Sequence, residues 1–181
     1  MVSLTAEDGQ SGMSGGLASV EYSRDGGLTW HEGAEVIFRT WKRGGGSGEH
    51  ELLYRATDAA GNTTPVPEAT LVRIDARPPL TSDDAPLDPQ TSDVTIHLTA
   101  ADSLFGVSAC SDIKETWYSL DGGDWALGTQ VTVTVAGNAG LHWIAYYSVD
   151  NVGNAEYAKW CCVTITAPDL GRRAGRPHVR R

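Results

Sequence analysis

The sequence runs Tyr22-Ser23-Arg24-Asp25-Gly26-Gly27-Leu28-Thr29-Trp30 near its start and returns to this pattern at Tyr118-Ser119-Leu120-Asp121-Gly122-Gly123-Asp124-Trp125. A second matched pair of segments follows, from His50 to Asn62 and from His142 to Asn154, and each ends in Asp-x-x-Gly-Asn. Self-similarity at a long, fixed period indicates an array of like modules. We expect features shared by both copies to belong to the scaffold, so a feature of one copy alone is the better candidate for a specific function.

The strand signals and the turn signals define the fold class. Apolar and polar residues alternate from Val94 to Ala100 and from Val131 to Val135, which is typical of half-buried strands. Each Asp-Gly-Gly is a tight-turn signal, because glycine adopts the positive φ that a hairpin needs. Short strands separated by turns every few residues indicate an antiparallel sandwich. The sequence therefore predicts an all-β protein of two tandem Ig-like antiparallel β-sandwich domains.

The domain boundaries follow from the proline-rich segment between the repeats. We assign residues 1–77 to repeat 1, residues 78–92 to a linker that includes an edge strand, and residues 93–167 to repeat 2. Repeat 1 has no counterpart of the segment from Pro78 to Pro89, so we expect it to lack its first edge strand. Because the first strand begins directly after Met1, we also expect the chain to be part of a longer protein.

Charge is distributed unevenly along the chain. The net charge is −9, yet five arginines lie within the last ten positions, which leaves 23 acidic and 9 basic residues in the rest. We expect residues 168–181 to form a disordered basic tail. The acidic remainder argues against nucleic-acid binding, which needs a basic surface. The longest apolar runs are too short for a membrane span.

Motifs of enzymes are missing from the sequence. It contains no Gly-x-Ser-x-Gly, no phosphate-binding Gly-x-x-x-x-Gly-Lys and no Cys-x-x-Cys. His50 and His142 are repeat twins beside a glycine turn, which favours a role in packing over catalysis. We therefore expect the chain not to be an enzyme.

The combined pattern resembles a known family of repeats. Tyr-Ser-x-Asp-Gly-Gly-x-Trp, then Gly-x-His-x-x-x-Tyr-x-x-x-Asp-x-x-Gly-Asn, then Ile-Asp-x-x-Pro-Pro, is similar to the Ig-like, or fibronectin-III-like, tandem repeats of bacterial and archaeal cell-surface and secreted proteins. The resemblance implies an extracellular or cell-surface location, with neighbouring repeats or domains of a parent protein as partners. It says little about a ligand, because a fold does not specify a function.

A calcium site is the ion hypothesis that the sequence supports. Asp102 ends the first strand of repeat 2 and Asp150 ends the long strand, so both are expected at the same end of the sandwich. With Asn154 and loop carbonyls they would supply the oxygen ligands that Ca²⁺ prefers. The alternative is that these aspartates cap their own turns. No other cofactor is indicated.

The three cysteines occur only in repeat 2. In an extracellular protein they allow one disulfide and one free thiol. Side-chain alternation directs Cys161 inward and Cys162 outward. We favour a bridge from Cys110 with its partner left open, and the alternative is three reduced thiols.

The strongest difference between the repeats is aromatic. Alternation predicts that Trp117, Trp143, Tyr147 and Trp160 share the outer face of one sheet, whereas repeat 1 has Glu51 and Arg55 at the positions of Trp143 and Tyr147. Such a patch indicates an interface, and flat aromatic rings also suit stacking on sugars. Cover by the loop from Ser103 to Lys114 or by repeat 1 is the alternative.

These observations predict a non-catalytic spacer or adhesive module of a larger cell-surface or secreted protein. The alternatives are a carbohydrate-binding module, with a glycan as its partner, and an accessory domain of a polysaccharide-degrading enzyme.

Overall fold

The computed structural model describes residues 1–7, 17–40, 46–102 and 110–166, which form thirteen β-strands and contain no helix. The chain divides into two compact units. Unit 1 comprises Met1–Pro78 with Asp102–Asp112, and unit 2 comprises Pro79–Ala101 with Ile113–Arg181. All of the strand pairings are antiparallel. The predicted all-β class is confirmed, and the predicted tail, residues 168–181, lies outside the described residues.

Unit 1 contains the first six strands. They are β1 (Val2–Ser3), β2 (Leu17–Ser23), β3 (His31–Glu32), β4 (Glu35–Val36), β5 (Gly48–Asp58) and β6 (Glu68–Ile74). Strands β1 and β4 form a small sheet, and the other sheet has the order β3-β2-β5-β6. The core described between these sheets is Leu4 and Val36 from one side and Val20 and Leu52 from the other.

Unit 2 contains the other seven strands. They are β7 (Leu80–Asp83), β8 (Val94–Ala101), β9 (Ile113–Leu120), β10 (Ala126–Leu127), β11 (Gln130–Val133), β12 (Gly140–Asp150) and β13 (Lys159–Ile165). One sheet has the order β11-β8-β7 and the other has the order β10-β9-β12-β13. Strand β7, which follows Pro78 and Pro79, pairs Leu80 with Ala101 and Asp83 with Leu98 and lies at the edge of its sheet.

The core of unit 2 has one apolar row from each sheet. Every second residue of each strand points inward, so each sheet supplies a regular set of branched and aromatic side chains. The buried residues are Ile96, Leu98, Val131 and Val133 from the three-stranded sheet, and Ile144, Tyr146, Val163 and Ile165 from the four-stranded sheet. Because the inward set of β12 and β13 is fixed in this way, the residues between them face outward.

The two turns common to both repeats fold by their own hydrogen bonds. Asp121 and Gly122 have φ values of 53° and 74°, and Gly123 N donates to Leu120 O over 2.9 Å, which closes the hairpin from β9 towards β10. At the end of β12, the Asp150 carboxylate accepts from Val152 N, from Asn154 N and from the Asn154 amide. Asp58 makes the matching three bonds in unit 1.

Candidate functional site: an aromatic face on unit 2

The outer face of the β10-β9-β12-β13 sheet brings the four predicted aromatic residues together. Tyr147 on β12 lies directly opposite Trp117 on β9, and Trp143 lies opposite Cys162 on β13. Trp160 lies opposite Ala145, and is therefore a diagonal neighbour of both Trp143 and Tyr147. Diagonal neighbours on a sheet are about 7–8 Å apart, within reach of large aromatic side chains.

A fifth aromatic residue, Trp125, also belongs to this face. It lies in the turn between β9 and β10, and its ring meets the Tyr147 ring edge to face at a centroid distance of 5.0 Å. Sequence comparison missed Trp125 because repeat 1 has Trp30 at the matching position, and shared residues were expected to be scaffold. We call Trp117, Trp125, Trp143, Tyr147 and Trp160 the aromatic face.

Three rings of the aromatic face are open to solvent. Trp125 is 45% exposed, Trp143 is 51% exposed and Trp160 is 66% exposed. Trp117 and Tyr147 are half-buried. Large exposed aromatics grouped on one sheet are uncommon on a surface without a binding role.

A small residue, Ala145, lies in the middle of the aromatic face. Ala145 lies between Ser119 on β9 and Trp160 on β13, with an aromatic ring two residues away on each side along β12. The corresponding residue of repeat 1 is Leu53. Ala145 therefore fills less space between Trp143 and Tyr147 than the leucine of repeat 1 would.

At the corresponding positions unit 1 has an ion pair in place of aromatic rings. Glu21 lies opposite Arg55, in the register that Trp117 and Tyr147 have in unit 2. The Arg55 guanidinium contacts the Glu21 carboxylate at 2.8 Å and lies 4.1 Å from the centre of the Trp30 ring. Trp30 is thus covered by a cation, whereas its twin Trp125 meets the ring of Tyr147. The two repeats share the scaffold and differ in the chemistry of this face.

The backbone of Trp143 is held by Asp121. Trp143 N donates to Asp121 Oδ1 over 2.9 Å, and Asp121 N donates to Trp143 O over 2.8 Å. The other carboxylate oxygen, Oδ2, lies 2.7 Å from His142 Nδ1, and His142 Nε2 lies 2.7 Å from Asn138 O. This clasp fixes the strand position from which the Trp143 ring projects.

The hydrogen bonds of this clasp shift the pKa values of both His142 and Asp121. Asn138 O and Asp121 are acceptors, so both imidazole nitrogens donate only in the protonated ring, and these bonds raise the pKa of His142 above its usual value. Partial burial opposes ionisation of Asp121, but the bonds from His142 and Trp143 N outweigh it and hold the pKa of Asp121 below its usual range.

The proposed calcium ligands have other partners within their own units. Asp150 is fully buried, and its carboxylate accepts the three turn donors described above. Asp102, in unit 1, accepts from Ser111 N at 2.9 Å. Because Asp58 makes the same turn as Asp150, the turn accounts for Asp150 and Asn154 without an ion. The calcium interpretation stays a prediction.

The three cysteines are free thiols in this structure. Cys161 faces the core and is half-buried, whereas Cys110 and Cys162 are exposed. The inward and outward directions predicted for Cys161 and Cys162 are therefore observed. Burial, reinforced by the charge of Asp83, raises the pKa of Cys161 to about 12, so its thiol stays protonated. A bridge from Cys110 stays a prediction.

A cavity of about 580 Å³ lies in unit 1, and no predicted site residue is among those that line it. Its lining includes Arg24 and Arg39 together with Glu49 and Glu51, so it has no consistent charge. The aromatic face of unit 2 is therefore the better candidate site.

Among the described residues no helix is long and apolar enough to cross a membrane. Comparison with known proteins gives no matching family model and no matching curated protein. Among solved structures, the chain is similar to the fibronectin(III)-like modules of Clostridium thermocellum CbhA, with 14% identity over 92% of this chain and 87% of that chain and a TM-score of 0.39. The likeness is distant, and the fold assignment rests on the strand pairing of this chain itself.

Proposed function

We propose that the chain is a non-catalytic adhesive module of an extracellular protein, and that the aromatic face of unit 2 binds a carbohydrate polymer by stacking. The exposure of Trp125, Trp143 and Trp160 on one sheet is the observation that carries the proposal. Aromatic rings stack on the apolar faces of sugars, and such rings act as anchors at a binding surface.

A polymer fits this surface better than a small ligand does. The face is an open sheet surface and not an enclosed pocket, whereas sites for small molecules are concave and enclose most of the ligand. Its rings lie on three neighbouring strands, β9, β12 and β13, with Trp125 in the adjoining turn. Several weak stacking contacts along one chain then add to useful affinity.

Replacement of an exposed anchor tests this function. Trp143→Ala is expected to weaken retention on the best-bound of a set of insoluble polysaccharides by at least about tenfold, which corresponds to roughly 1.4 kcal/mol. Because half of the ring is in solvent, the melting temperature should change little. Retention in a sedimentation assay and thermal melting of the same sample measure the two quantities.

An exposed apolar residue of unit 1 provides the matched control. Leu28 is 85% exposed, so Leu28→Ala removes a comparable exposed side chain away from the face and should leave retention unchanged. A large drop in melting temperature for Trp143→Ala would show that the ring serves packing, and this outcome would reject the binding role.

A spacer is the second candidate, and the two separate cores favour it. Each unit has its own apolar cluster, as modules that only separate other domains need. Wild-type protein that is retained by none of the polysaccharides would leave the spacer as the better description.

A further inference from the structure

We infer that the aromatic face selects uncharged polysaccharides, and that Glu115 and Asp124 are the specificity residues that reject anionic ones. This inference rests on the proposed function and adds a ligand class to it. Its support comes from the charged side chains around the rings, whereas the proposed stacking function rests on the exposure of the rings themselves.

Glu115 lies on the same face as the rings. It is two residues before Trp117 on β9 and lies opposite Val149, next to Tyr147 along β12. The diagonal from Glu115 to Tyr147 is therefore about 7–8 Å between strands. The Glu115 side chain is 27% exposed, and its nearest cation, Lys114 Nζ, is 3.9 Å away and belongs to an exposed side chain. Such a loose pair neutralises little of the carboxylate charge in water.

Asp124 adjoins the same rings along the chain. It is exposed and directly precedes Trp125, whose ring packs on Tyr147. Asp124 and Glu115 are therefore each near a residue of the aromatic face, Asp124 beside Trp125 and Glu115 on the same side of β9 as Trp117. At the Trp143 end of the face, the carboxylate of Asp121 is paired with His142 at 2.7 Å and contributes less free charge.

The described residues of unit 2 contain no arginine and two lysines, Lys159 and Lys114. Lys159 is on β13 beside Trp160, but its amine contacts Glu156 at 2.7 Å and the carbonyl of Thr81 at 2.5 Å, on the inner side of the sheet. Lys114 is the other, and its exposed amine lies 3.9 Å from the Glu115 carboxylate in the loose pair described above. A polymer lying on the rings thus meets more negative than positive charge from the described residues around them.

We expect the aromatic face to discriminate between polysaccharides by their charge and not by the shape of their sugar rings. A carboxylate on the ligand would be brought near Glu115 and Asp124, and the repulsion costs binding energy that a hydroxyl does not cost. Because the groups are at the surface, salt should reduce the discrimination.

Matched ligands make the test specific. The probes are an insoluble neutral β-glucan, chitin and mannan, each with a version in which primary hydroxyl groups are oxidised to carboxylates. At low salt, wild-type protein is expected to bind an oxidised polymer about tenfold more weakly than the unmodified one, and the difference should shrink as salt rises.

The double variant Glu115→Gln with Asp124→Asn identifies the residues. It keeps hydrogen-bonding oxygens and removes both charges, so it should retain its affinity for the neutral polymer and bind the oxidised polymer nearly as well. Glu32→Gln with Glu35→Gln, at two exposed glutamates of unit 1, changes net charge by the same amount and should preserve the discrimination.

The outcomes separate the two proposals. If Trp143→Ala loses neutral binding while the double variant still discriminates as the wild type does, the stacking function stands and the assignment of Glu115 and Asp124 is wrong. If the wild type binds oxidised and neutral polymers equally, the charge selection is wrong. If the wild type binds none of the polymers, the proposed function and this inference both fail.

Discussion

His142 is the residue whose charge has the clearest consequence for stability. Both of its ring nitrogens face acceptors, Asp121 and Asn138 O, and its folded pKa is raised. A raised folded pKa means that the stabilisation is complete below the unfolded value of about 6.5 and is lost as the pH rises through the folded value. Thermal melting of unit 2 should therefore occur at lower temperature at about pH 8.5 than at about pH 6.

Two histidine variants isolate this effect. His142→Gln should flatten the pH dependence of the unit 2 transition, because the titrating group is removed. His97 also contacts a carboxylate, Asp84, at 2.9 Å, but both side chains are more than half exposed. Solvent weakens the contribution of the His97–Asp84 pair to stability, so His97→Gln should leave the pH dependence of the unit 2 melting temperature unchanged. An unchanged slope in His142→Gln would contradict the role of the clasp.

At the scale of elements, strand β7 is attached to its sandwich by a buried carboxylate. The Glu156 side chain is 5% exposed and accepts hydrogen bonds from Thr81 N, Thr81 Oγ1 and Ser148 N, as well as from the Lys159 amine. Repeat 1 has Thr64 and Ala56 at the positions of Glu156 and Ser148, and in the described residues its β1–β4 sheet has no strand equivalent to β7. The added strand and its polar anchor therefore occur together.

Removal of this anchor should be costly. Glu156→Ala leaves the Lys159 amine and the donors of Thr81 and Ser148 without their acceptor, and we expect unit 2 to lose roughly 3 kcal/mol of unfolding free energy. Glu49 forms an exposed pair with Arg73 at 3.0 Å, so Glu49→Ala should cost less than about 1 kcal/mol. Denaturant unfolding measures both, and equal losses would argue against a special role of Glu156.

The sequence predicted the elements better than the contacts between them. Alternation located β8 and β11, since one apolar residue in two is a local signal. It also directed Cys161 inward and the aromatic set outward. It could not identify Trp125 as part of the face, because that contact depends on how the turn after β9 folds back over β12. It could not identify Glu156, whose burial depends on pairing with Thr81, 75 residues away in sequence.

For the whole molecule, the two units should differ in stability. Unit 2 has eight buried apolar residues in its described core, whereas unit 1 has four, and buried apolar area is the main source of folding free energy. Unit 2 also has the Glu156 anchor. We therefore expect two transitions in calorimetry of the full chain, with unit 2 melting second, and Glu156→Ala should lower only that transition.

The oxidation state of the three cysteines bears on why unit 2 is expected to melt after unit 1. The sequence favours a bridge from Cys110, which stays a prediction, and a native disulfide contributes typically about 2–4 kcal/mol. The larger core and the Glu156 anchor are sufficient reasons for unit 2 to melt second without a disulfide. The order of melting should therefore survive addition of a reductant, and thiol titration of the unfolded protein without reductant shows whether a bridge is present. Loss of the order under reductant, with two thiols missing from the titration, would restore the disulfide as its cause.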